Sequence, residues 1–358
     1  AAHSTPTLPH RGLNARDPNI CPGSIYFPET YRSPHENRRF RTHILTLNPK
    51  NWLSYDQQVD LLSQRGMRVD DNVAASEFLS RVNYYRFSGY FRHWQHDPAK
   101  GDNRFFEGTS FDDIRSLYDA EQELASVCDE LLHPLEILLR TKFAYAYGRH
   151  VGVTGMFARG EGFTQSPQQD AERVEEHALS NLDRSKEAFV AHYRDDVKQG
   201  RTYKPEAYDR MPIWVAVEAF SFGTLSRLIE ASGDSGVLDH IADSMNTSRK
   251  LLPGQVKSFV YLRNRVAHCA QLWNHRVLDV PGLQPKTSRR IKRTYRNFSD
   301  HSVYKILVAL DDVATRSGIS TNWLEDTIEP LLDNHPLLAK GITQPARYGE
   351  MPSNTLID

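Results

Sequence analysis

From residue 54 onward, apolar positions recur at three- and four-residue spacings, and strict alternation of apolar and polar residues is nearly absent. That periodicity predicts helices. Ser54 can cap a first helix running to residue 67, and Asp71 a second over residues 72–96. Residues 97–109 read as a loop. Ser110, with Asp113 three residues on, opens a long periodic helix through residue 128; Pro134 marks a kink or break before it continues to residue 147. A glycine-rich loop at 148–162 precedes a charged helix over 169–198. Pro212 opens an apolar helix to residue 230, and Pro253 opens another that should carry residues 262–276 on one continuous cylinder. A basic linker leads to a helix at 300–316, a short helix follows Ser320, and the stretch after residue 336 is loop-like. The first fifty residues hold several prolines, few aliphatics and the cluster Arg32, Arg38, Arg39 and Arg41. The expected fold class is all-α. It divides into an irregular basic arm (1–53), an N-terminal helical region (54–109), a helical core (110–335) and a tail (336–358).

The predicted helix through residues 262–276 carries the densest chemistry. At 100° per residue, Leu262, Val266, Cys269, Ala270 and Trp273 fall on an apolar stripe. Asn264, His268, Gln271 and His275 form a polar ridge opposite, and Arg263 sits at the edge, long enough to reach round to it. Arg263, Asn264 and His268 together supply a cation for phosphate, an amide to orient it and a group that moves protons near neutral pH. They read as a phosphodiester site in which His268 transfers the proton and Arg263 stabilises the developing charge, with His275 in support. An exposed polar helix face with an incidental histidine fits the same spacing.

Composition narrows the classes. The 358 residues are 39% hydrophobic and 25% charged with net charge -1, so a nucleic-acid footprint must be local. The three cysteines (Cys21, Cys128, Cys269) form no CxxC pair, which argues against a zinc knuckle or a disulfide framework. The start of the chain lacks an apolar signal core and no apolar run reaches ~18 residues. A cytoplasmic protein without membrane spans is expected, needing no metal or cofactor. Phosphate-loop, zinc-protease and serine-hydrolase motifs are missing.

Local clusters add detail. Glu136 and Arg140 stand one turn apart, and Glu218 lies on the apolar helix bearing Trp214; a glutamate on such a face needs a partner. Glu136 or Glu218 could hold Arg140 or Arg263 near the site, or simply form a structural ion pair. The run from Arg81 to Trp94 mixes six aromatics with cations. Tyr84, Phe87 and Phe91 share a core-facing side, leaving Arg86 and Arg92 as candidates for phosphate contact. Lys286, Arg289, Arg290, Lys292, Arg293 and Arg296 are six basic residues without an intervening acid, suited to an RNA backbone or to a solvated loop.

The run Leu-Arg-Asn-Arg-Val-Ala-His-Cys-Ala-Gln-Leu-Trp-Asn-His-Arg at 262–276 resembles the core motif of Abi-like bacterial proteins (abortive infection, AbiD/AbiF type). Three more segments resemble that family's blocks in order: Arg81-Val-Asn-Tyr-Tyr-Arg-Phe-Ser-Gly-Tyr, Leu135-Glu-Ile-Leu-Leu-Arg-Thr, and Met211-Pro-Ile-Trp-Val-Ala-Val-Glu-Ala-Phe-Ser-Phe-Gly-Thr-Leu. The resemblance implies a HEPN-like helical bundle with an N-terminal helical extension. It also implies an Arg-x4-His ribonuclease site at Arg263 and His268, often assembled in a homodimer, and antiphage defence by metal-independent RNA cleavage. The alternative is a non-catalytic RNA-binding protein in a ribonucleoprotein with a small noncoding RNA; a third class is a helical scaffold. Cys269 stands where the family often has a second histidine. Ala270 replaces the tyrosine of the Arg-x4-His-x-Tyr toxins.

Overall fold

Helix caps read from single residues explain much of how the chain is laid out. In the computed structural model, residues 51–164 and 173–346 are described, so nearly all of the basic arm, the start of the charged segment and about half of the tail lie outside the described residues. Ser54 caps α1 (Tyr55–Gln64) in a full capping box with Gln57, and Asp71 caps α2 (Asn72–Arg81) through the amides of Val73 and Ala74. The helix expected over 72–96 is two: Val82 adopts an extended conformation and Asn83 caps α3 (Tyr84–Phe91). The expected loop at 97–109 contains a hairpin, β1 (Gln95–Asp97) and β2 (Asp102–Phe105).

The central element is α4 (Phe111–His150), 40 residues long and unbroken through Pro134. Proline removes one helical hydrogen bond and crowds the preceding turn. Here Leu131, Leu132 and Leu135 are buried on both sides of it, and their packing holds the helix together. After α4 come α5 (Val174–Arg184), α6 (Ala188–Tyr193), the small hairpin β3 (Lys198–Gln199) and β4 (Thr202–Tyr203), and α7 (Ile213–Ala216), the last packed against α4. The predicted apolar helix at 212–230 breaks after α7. Ser221 then caps α8 (Phe222–Ala231), followed by α9 (Val237–Ser244) and α10 (Leu252–Ala267).

Residues 285–294, expected as a basic linker, form α11 (Pro285–Thr294), because Thr287 and Ile291 are buried one turn apart while the cations face outward. After α12 (Val303–Arg316) come a π-turn at Leu324–Ile328, α13 (Glu329–Asn334) and α14 (Pro336–Thr343). The last corrects the expectation of a loop after residue 336: Leu338, Ala339 and Ile342 are buried. The fold is all-α, with two two-stranded hairpins among the described residues. Phe78, Phe87, Phe91 and Phe111 meet edge to face or tilted at centroid distances of 5.0–5.7 Å and fasten α2 and α3 to the start of α4. No helix among the described residues is long and apolar enough to cross a membrane.

Candidate functional site

The signature helix stops earlier than its periodicity suggests. α10 ends at Ala267, and His268 is its C-cap. The amide of Cys269 donates to the Val266 carbonyl at 2.9 Å and that of Ala270 to the Arg265 carbonyl at 2.7 Å, with Cys269 left-handed at φ 50°. This pair of bonds is a Schellman C-terminus, with a cysteine where glycine is usual. The Arg265 side chain folds back and donates to the Gln271 carbonyl, closing the turn.

The polar ridge therefore exists only as Asn264 and His268, one turn apart. Gln271 and His275 belong to the following loop, and Cys269 is exposed rather than part of a core stripe. Gln271 donates to the carbonyls of Gly89 and Trp273, and His275 Nε2 pairs with the Tyr261 hydroxyl. Burial, reinforced by the nearby Arg265 charge, lowers the His275 pKa from 6.5 to about 3, so it sits as a neutral structural imidazole. Trp273 is buried as expected, but through the loop.

What pins that loop is a residue the sequence reading passed over. Glu121, buried on α4, accepts the amides of Leu272 at 3.0 Å and Trp273 at 2.7 Å and the Tyr90 hydroxyl at 2.8 Å. Burial nonetheless raises its carboxyl above the ordinary range. The available signal was a glutamate within the buried stripe Ile114, Leu117, Glu121, Leu124 and Cys128. The Trp273 ring stacks on Trp94 at 5.5 Å, and its indole donates to the Leu337 carbonyl at 2.9 Å. A Cβ on Gly341 would collide with that indole, and one on Gly89 would come within 2.7 Å of Gln271 Oε1.

Glu136 joins the second half of the site. Its carboxylate receives Arg140 and, at 3.2 Å, Arg263 Nε; Arg263 also donates to Asn264 Oδ1 at 3.1 Å. Arg140 spends its other nitrogen on the carbonyls of Val217 at 2.6 Å and Phe220 at 2.8 Å, fixing the segment between α7 and α8. Glu136 is the partner for both arginines; Glu218 is exposed and forms no ion pair among the described residues. Two guanidiniums around one carboxylate leave a net charge of +1. Beside them, the His268 side chain is exposed and makes no hydrogen bond among the described residues.

Arg86 reaches across to donate to the Cys269 carbonyl, so the turn carrying His268 is tied to α3. Arg92 is half-buried. On α11, Lys286, Arg289, Arg290, Lys292 and Arg293 are exposed, whereas Arg296 is bound by Glu329 at 2.7 Å and Asp333 at 2.6 Å. Among the described residues no three His, Cys, Asp or Glu side chains gather as a metal site.

Four segments far apart in sequence thus converge at the C-terminal end of α10: 81–90, 135–141, 211–225 and 262–276. An all-α protein with a cationic cluster beside an exposed histidine is the class these features define. A model of the family described as Abi-like protein matches residues 77–274, more than half the chain and nearly all of that convergence, and the chain belongs to this family. No curated protein and no solved structure matches it.

Proposed function

We propose that this Abi-like protein is a HEPN-type endoribonuclease of abortive-infection antiphage defence, cutting RNA by metal-independent transesterification at Arg263 and His268. What carries the reading is the aiming of Arg263 by Glu136, beside a histidine left exposed at a helix end. A ribose 2′-oxygen attacks the adjacent phosphorus as His268 takes its proton. The bond to the 5′-oxygen breaks, giving a 2′,3′-cyclic phosphate and a 5′-hydroxyl once that oxygen is protonated. Arg263 and the surplus positive charge of its cluster offset the charge gathering on the non-bridging oxygens, and Asn264 holds the phosphate or the imidazole. Among the described residues one chain offers one such histidine beside Arg263, so a homodimer would supply base and acid from two copies. Cytoplasmic RNA is the substrate on this reading.

One observation favours a second reading. Arg263 already donates to both Glu136 and Asn264, as it would in a site that holds RNA without cutting it, in a ribonucleoprotein with a small noncoding RNA. Wild type and His268→Ala, compared for RNA cleavage in excess EDTA and for toxicity in cells, decide between them. Loss of cleavage and toxicity in the variant supports the nuclease; equal behaviour of the two proteins, with RNA still bound, leaves only binding.

A further inference from the structure

A second feature of α4 lies outside the Arg263–His268 cluster. Near the C-terminal end of the helix, Ala144, Tyr145, Gly148 and Arg149 form a groove of about 360 Å³ with Val153 and Trp214. Tyr145 is 63% and Trp214 54% exposed, unusual for large rings that could have been buried. The floor is made by the small residues Ala144 and Gly148, and no acidic side chain lines the groove. Lys142 and Arg149 stand seven residues apart, on the same side of the helix, and neither forms an ion pair among the described residues. His150 and His240 lie beside them with ring nitrogens 3.2 Å apart.

Exposed ring faces over a small-residue floor, flanked by unneutralised cations, are the elements with which proteins hold single-stranded nucleic acid: rings stack on bases, cations follow phosphates. The volume falls in the range of small-molecule sites, large enough for a planar ring. The groove is also built into the same framework as the cluster. Trp214 begins the segment whose far end, at Val217 and Phe220, is gripped by Arg140. Tyr145 lies nine residues beyond Glu136, roughly 14 Å along the helix axis.

Resting on the RNA reading above, we propose that this groove is a base-binding subsite. It seats one unpaired base of a single-stranded RNA against Tyr145 and Trp214, with Lys142 and Arg149 on the adjoining phosphates. The RNA is then single-stranded where it meets α4, and duplex is a poor ligand.

The test is a titration of the full chain carrying His268→Ala, so that RNA stays intact, with a fluorescein-labelled single-stranded oligoribonucleotide and with its duplex form. Anisotropy reports affinity. Trp214→Ala and Tyr145→Ala should each weaken single-strand binding about tenfold, Trp214→Phe should retain most of it, and Arg149→Glu should weaken it as well. Both rings are exposed, so circular dichroism should show the variants folded. The subsite is refuted if the alanine variants bind single strands as tightly as the parent. It is equally refuted if Trp214→Ala only changes the oligomeric state, which would make the face a contact between copies. If the parent binds no RNA at all, the RNA reading itself fails, an outcome distinct from either.

Discussion

Glu136 holds Arg263 through the guanidinium Nε at 3.2 Å, while the same carboxylate binds Arg140 one turn along its own helix. Arg140 has other acceptors in the carbonyls of Val217 and Phe220; among the described residues Arg263 has only Asn264 besides. Glu136→Gln should therefore release Arg263 more than Arg140. The expected outcome is a stability loss of about 1–2 kcal/mol, because Arg140 keeps partners, and a fall in RNA cleavage of about tenfold or more. Denaturant unfolding and single-turnover cleavage measure the two. A variant that cuts at the wild-type rate would show that Glu136 does not aim Arg263.

Cys269 sits at φ 50°, a conformation that costs a residue with a Cβ roughly 1 kcal/mol relative to glycine. Cys269→Gly should raise the urea midpoint correspondingly and, on the proposed nuclease reading, leave RNA cleavage unchanged, since the exposed thiol makes no hydrogen bond among the described residues. A lowered midpoint would mean that the thiol contributes something the backbone geometry does not reveal.

Acid should dismantle the loop behind the site. His93 and His275 are both lowered from 6.5 to about 3, in each case first by burial and then by a neighbouring arginine. A histidine with a depressed folded pKa takes up protons mainly when unfolded. Its stabilising contribution is complete above pH 6.5 and declines as pH falls toward 3. Each contributes a slope of about 1.4 kcal/mol per pH unit in that window, so together they cost about 4 kcal/mol by pH 5. Unfolding free energy measured from pH 7 to pH 5 should show this slope, and His275→Gln should roughly halve it. A profile that His275→Gln leaves unchanged would contradict the neutral state of that ring, since the raised Glu121 carboxyl adds a slope of opposite sign to both proteins alike.

The cations between residues 286 and 296 should separate by their partners. Removing Arg289 or Arg293, both exposed, should lower the slope of log affinity against log salt by about 0.7 each for single-stranded RNA. Arg296→Ala should leave that slope unchanged and instead destabilise the fold, because its side chain, 19% exposed, bridges Glu329 and Asp333. A salt slope that falls with Arg296 as it does with Arg289 would overturn the distinction.

These contrasts show where the sequence was legible. Ser54, Asp71 and Pro253 act locally, through bonds within one turn, and their helices begin where they were read. The pairing of Glu136 with Arg140 was likewise visible as one turn of spacing. The end of α10 was not, because no glycine marks position 269 where the left-handed turn falls, and the loop beyond it is held by a remote residue, Glu121, some 150 positions earlier, through the amides of Leu272 and Trp273. Pro134 misled in the opposite sense, since buried leucines on either side outweigh one lost hydrogen bond. The six cations after residue 285 hid an amphipathic helix because two buried positions, Thr287 and Ile291, define its inner face.

The bond from the Trp273 indole to the Leu337 carbonyl spans 64 positions of chain, and Asn274 Oδ1 accepts the amide of Ala346 further still. During synthesis, the turn that presents His268 leaves the ribosome well before the residues that lock it. A nascent chain therefore carries an unfinished site. The connectivity itself thus makes this turn one of the last parts of the fold to be completed, once Leu337 and Ala346 have emerged.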